Sequence, residues 1–187
     1  MARMRTAPPA VTEQRVLARL HALGADGFVH VNGTLERHLL RTERLLRDWG
    51  SRDALCLAGL YHAVYGTDGI TGRLVGLDAR KAIADVIGDE AERIVYLYGA
   101  CDRERFHPRI GTPMQHLFVH RFAESEYAIG KPQLRDFCEI TAANELELAA
   151  KNARFKRRHR AELSQLFTRM GDLLSDAARS GVSEVLQ

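Results

Sequence analysis

The sequence predicts an all-α fold built as a single helical bundle, and three observations predict it. Apolar residues recur at three- and four-residue spacing over most of the chain. Capping residues stand ahead of those runs. No segment alternates polar and apolar residues well enough to specify a sheet. With 187 residues, 45% of them hydrophobic and 27% charged, the chain can bury one ordinary core.

Taken in order, residues 1–10 read as a flexible tail and 11–187 as one domain, with no repeat, linker or low-complexity stretch. A first helix spans Val11 to Leu23, carried by Val16, Leu17, Leu20 and Leu23 and ended by Gly24 and Gly27. Residues 28–33 form a loop or short extended piece. Thr34 is an N-cap for a second helix lined by Leu35, Leu39, Leu40, Leu45 and Leu46 and closed at Trp49-Gly50. Ser51 and Asp53 can cap a third helix, ALCLAGLYHAVYG, which is apolar nearly all round and so belongs at the centre of the bundle. After a glycine-rich loop, helices are expected over Leu77–Ile87 and Glu90–Ala100. A polar loop follows at 102–113, then a short helix over Met114–Phe122. Long helices are expected over Gln133–Lys151 and Ala153–Arg179.

Composition narrows the function classes. The net charge of +3 is mild. The run KNARFKRRHR (residues 151–160) reads as a solvated helix face, and without interleaved aromatics or a known motif it argues against nucleic acid as partner. Cys56, Cys101 and Cys138 are odd in number and contain no paired spacing, so buried free thiols in a reducing cytoplasm are expected. The basic N-terminus lacks the apolar core of a secretory signal, and no apolar run is long enough to span a membrane. A small-molecule substrate is the expected partner.

The histidines carry the sharper expectation. His21 and His159 lie in charged surroundings, whereas His30, His38, His62, His116 and His120 have suggestive neighbours. His62 sits in an otherwise apolar helix, where an imidazole must find partners for its nitrogens, and a backbone-bonded core histidine is the plain reading. His38 and His62 lie at equal distances before and after Gly50, on consecutive helices joined by a tight turn. If those helices pack antiparallel the two rings can meet. A shared divalent transition metal on His38 and His62, or a shared anionic ligand, would suit that geometry. Tyr65, three residues after His62, falls on nearly the same helix face. His116 and His120 have the i, i+4 spacing of a chelating pair, and Arg121 beside them suits an anionic substrate. Asn144 lies among Phe137, Ile140 and Leu148, where an amide needs a partner. The Gly66-Thr67-Asp68-Gly69 segment ends the buried helix and reads first as a C-cap.

FVHVNGTLERHLL (Phe28–Leu40), AGLYHAVYGTD (Ala58–Asp68) and ITAANELE (Ile140–Glu147) together resemble the HD superfamily of metal-dependent phosphohydrolases, nearest in pattern to the branch that hydrolyses guanosine tetraphosphate. HAVYGTD is also similar to a run in an uncharacterised family of small HD-like proteins that carries a His-x-x-Tyr-Gly-Thr motif. The resemblance spans residues 28–150 and implies an HD-like bundle whose metal ligands fall at His38 and His62. The family's aspartate after the second histidine is here Ala63, its acidic pair one turn later is Gly66-Thr67, and its late aspartate is Asn144. Two imidazoles and an amide suit a hard divalent cation poorly.

The sequence therefore supports a small-molecule enzyme of hydrolase or lyase type on a degenerate HD-like scaffold. His62, Tyr65, His38 and Asn144 are its expected catalytic residues, and His30, Thr67, Arg121 and His120 would contact substrate. The alternatives are a catalytically inactive HD-like domain that binds a ligand or a protein and, further off, a helical protein that uses its basic run.

Overall fold

The computed structural model describes residues 12–69 and 72–187, so the expected tail at 1–10 lies outside the described residues. The first helices start at the caps carried by the sequence. Thr12 accepts from the Arg15 N–H ahead of α1 (Glu13–Ala22). A two-residue ribbon, β1 (Val29–His30) against β2 (Gly33–Thr34), leads into α2 (Leu35–Asp48), where Thr34 accepts from the Arg37 N–H. Gly50 takes φ +74° and lets the chain reverse within two residues, with Gly50 N–H donating to Arg47 and Ser51 N–H to Leu46. The next helix, α3 (Asp53–Tyr61), returns along α2.

His38 meets His62 while Leu46 and Glu43 meet Gly59, so the contacts run in opposite senses and the pair is antiparallel. Gly59 sets how closely the two helices approach. A Cβ at that position would lie 2.3 Å from Leu46 Cδ1, and Leu46 is fully buried.

Helices α4 (Arg80–Ile87) and α5 (Asp89–Gly99) follow, separated by Gly88. Among the described residues the axis of the bundle is α7 (Lys131–Lys151), which packs against α2, α3, α5, α8 (Ala153–Met170) and α9 (Asp176–Leu186). One core cluster runs through all of these helices. The fold is all-α, and among the described residues none of its helices is long and apolar enough to cross a membrane.

Several boundaries differ from expectation. The polar segment 102–113 is not a plain loop: Asp102 caps a short helix, α6 (Arg103–Phe106), which runs into a 3-10 turn at His107–Arg109. The helix expected over Met114–Phe122 is instead β3 (Leu117–His120), paired antiparallel with β4 (Ser125–Ala128). Phe118, Val119 and His120 are aromatic or β-branched and fit a strand better than a helix. The last expected helix is two helices. Gly171 takes φ +40°, and Ser175 restarts the chain by accepting from the Ala178 N–H while bonding to buried Glu139. The third helix stops at Tyr61, leaving His62 at its C-terminal cap.

Replacing Gly59 by valine forces α2 and α3 apart. A loss of about 1–3 kcal/mol of stability is expected from overpacking, readable as a lower urea midpoint at unchanged slope.

Candidate functional site

Strand β1 and helices α2, α3 and α7 bring three imidazoles and a carboxylate together. On α7, Asn144 and Glu147 are three residues apart and face α2. Glu147 Oε2 lies 2.5 Å from His38 Nδ1, and its other oxygen accepts from Arg41 Nε. His38 Nε2 lies 2.9 Å from Asn144 Oδ1, while Asn144 Nδ2 donates to Glu145 Oε1 at 2.9 Å and so fixes which way the amide points. Both nitrogens of His38 therefore face carboxylate or amide oxygens. Burial pushes the Glu147 carboxyl up, but its bonds to His38 and Arg41 outweigh burial and hold it below the usual carboxylate range.

The rings of His30 and His62 flank His38. His30 stacks on it at 4.3 Å between centroids, and His62 meets it edge-on at 5.2 Å. His62 Nδ1 donates to the Gly59 carbonyl at 2.7 Å, which fixes its tautomer and leaves the Nε2 lone pair without a protein partner among the described residues. Burial, then the neighbouring His38, pushes the His62 ring far below its ordinary value. The same two causes bring His30 down to about 4.

These rings line a cavity of about 680 Å³, a volume in the range of small-molecule sites. Its apolar wall includes Phe28, Leu35, Leu148, Leu163 and Leu166, and α6 and the end of α8 contribute Arg103, His107 and Arg169. Burial lowers His107 to about 4, assisted by Arg103 and Arg169. Buried polar atoms without a hydrogen bond recur around this cavity: His30 Nδ1, Arg103 Nε and Nη2, His107 Nε2 and Arg169 Nε. Each unmet group costs about 1–3 kcal/mol.

The structure places His30, His38, His62, Thr67 and Asn144 on this cavity. It does not place Tyr65, His120 or Arg121 there. The helix ends before Tyr65, so helical spacing no longer applies, and the Tyr65 hydroxyl turns to Glu92 at 3.0 Å, beside Arg80. His120 lies on β3, where it bonds the Tyr96 hydroxyl at 3.2 Å. His116 bonds the Ile129 carbonyl, so the expected chelating pair is spread over a hairpin rather than aligned on a helix. Arg121 is committed to the carbonyls of Gly99 and Gly66.

The expectation of a metal on His38 and His62 is also corrected. His38 has no free nitrogen, both oxygens of Glu147 are engaged, and only Nε2 of His62 is open. Among the described residues no group of three or more His, Cys, Asp or Glu side chains is placed to hold a metal ion. These residues do not fit the metal centre implied by the HD resemblance.

Sequence reasoning missed Arg103, His107, Arg169 and the role of Glu147. A signal existed for the first two, since the Asp102 cap and the Arg103–His107 spacing mark one helical turn. Arg169 interrupts the apolar face formed by Leu163, Leu166 and Met170. His159, set aside as a surface residue, also lines the cavity.

The chain is similar to a domain of unknown function (DUF6817), whose family model matches residues 19–103. The matched span carries His30, His38, His62 and Arg103, whereas Asn144, Glu147 and Arg169 fall beyond it. No curated protein matches the chain, nor does any solved structure.

The unfolded chain protonates these histidines near pH 6.5, and the fold resists protonation at His30, His62 and His107. The unfolded state therefore binds more protons as pH falls below 6.5, and stability drops continuously toward pH 4. Urea midpoints across that window should fall steeply, and His107→Asn should flatten the fall; a flat wild-type profile would contradict the buried, neutral rings. The donor geometry further predicts that protein purified without chelator carries no stoichiometric transition metal by elemental analysis.

Proposed function

We propose that the chain is an enzyme that takes a small molecule into this cavity and acts on it with His62 as the proton acceptor. The observation that carries the reading is the His62 ring. It is held by Gly59 in a single tautomer, kept neutral by burial and by His38, and has its Nε2 lone pair open beside a cavity of suitable volume. Such a ring is a weak base, but it is fully in its working form at neutral pH. His38 acts through position and charge. Paired with Glu147, it presents a proton-bearing ring edge-on to His62, and this favours an anionic or electron-rich reacting group over a cationic one.

The scaffold reading goes with this. The order of a histidine-bearing helix, a tight turn, an apolar helix ending in histidine and an alanine-rich helix supports an HD-like bundle in which Glu147 supplies the carboxylate absent after His62. Hydrolysis or elimination by acid–base chemistry suits the site better than metal-dependent phosphohydrolysis. Three buried cysteines without a disulfide among the described residues support a cytoplasmic setting. A binding-only domain is the second reading, favoured by the closed bonding of His38, which holds both its nitrogens in the protein.

Incubation with a metabolite mixture, followed by mass spectrometry, tests both readings. A metabolite consumed by the wild type and consumed about 100-fold or more slowly by His62→Gln supports the enzyme. A metabolite retained but never consumed supports the binding domain, and neither retention nor consumption overturns both.

A further inference from the structure

The cavity wall also carries cationic residues, from α6 and the last turn of α8, beside the histidines. Arg103 and Arg169 both line it, with His107 between them in charge terms, since each arginine acts on that ring. The Arg103 side chain is 15% exposed and lies over the Tyr98 ring. Its Nε and Nη2 are buried without partners, and its nearest carboxylate oxygen, on Glu145, is 3.9 Å away, too far for a hydrogen bond. That oxygen is already taken by Asn144 at 2.9 Å. The Arg169 side chain makes no hydrogen bond or ion pair among the described residues, and its Nε is buried. Asp68 and Glu104 also line the cavity; Asp68 accepts from the Arg103 backbone N–H and attracts the charge of Arg103 without bonding its guanidinium, and Glu162 faces His159.

We propose that Arg103 and Arg169, with His107, form an oxyanion subsite that holds a carboxylate or phosphate group of the ligand. Buried guanidinium groups left without acceptors, converging on a cavity and not on a carboxylate, are completed by a ligand that brings several acceptor oxygens and negative charge. The Nε2 atom of His107 adds one more group without a partner at the same place. The neutral His62 and the apolar wall then face the remainder of the ligand, so the ligand class is a small molecule with one anionic end and a less polar body. This deepens the proposed function and rests on the same cavity being the working site, but not on His62 performing chemistry.

The full chain should be titrated calorimetrically with inorganic phosphate and, separately, with acetate, each up to tens of millimolar. Saturable binding of at least one is expected, and the tighter of the two identifies the oxyanion. Arg169→Gln should weaken it about tenfold or more, as loss of one charge-assisted contact does. Arg103→Lys, which keeps the charge but loses the planar fork, should weaken it as well, whereas Arg157→Gln on the exposed face of α8 should not. Absence of binding by both ions, or equal binding in all variants, overturns the subsite. His62→Gln separates the two proposals. Oxyanion binding retained in that variant without turnover in any form of the protein counts against the enzyme alone; turnover that survives Arg169→Gln with unchanged affinity counts against the subsite alone.

Discussion

The bond between Glu147 and His38 is the constraint on which the rest of the site depends. It joins α7, the axis of the bundle, to α2 through two side chains that are almost wholly buried. A buried carboxylate this close to an imidazole is tolerable only because Arg41 takes its second oxygen and Asn144 takes the far nitrogen of the ring. The consequence reaches past the pair itself. With His38 locked, its charge bears on His30 on one side and His62 on the other, and both are kept neutral. One anchored ring thereby reinforces what burial already imposes on its two neighbours.

The cavity also divides the labour of the chain. Imidazoles from α2, α3 and the β1–β2 ribbon line one part of its wall, and guanidinium groups with unpartnered atoms from α6 and α8 line another. Apolar side chains from α7 and α8 complete the wall. Leaving polar atoms unmet in a protein interior is unfavourable, so several such atoms around a single cavity indicate groups held ready for something that enters.

Much of the fold was legible because it is written locally. Thr34 caps where expected, Gly50 reverses the chain, and equal spacing about that turn was enough to pair His38 with His62. Reading failed where tertiary contacts override a short segment. Leu117–His120 becomes a strand because β4 is there to pair with it, and Tyr65 leaves the His62 face because the helix stops four residues earlier than its apolar run. The missing half of the site was hidden for a different reason. Glu147 and Arg169 are charged residues of ordinary surface type, and nothing in their spacing shows that α7 and α8 fold them inward.

The near-complete burial of α7 has a further implication for how this protein can change over time. The helix that holds Asn144 and Glu147 against the histidines also uses Asp136 to hold Arg52 and Glu139 to hold Ser175. Scaffold and site share one rod, so sequence drift along it is penalised twice, once in folding and once in ligand handling. The arginines sit instead on a four-residue helix and on the last turn of α8, outside that rod. Descendants of this chain would be expected to keep the imidazoles nearly fixed and to diversify at the arginines.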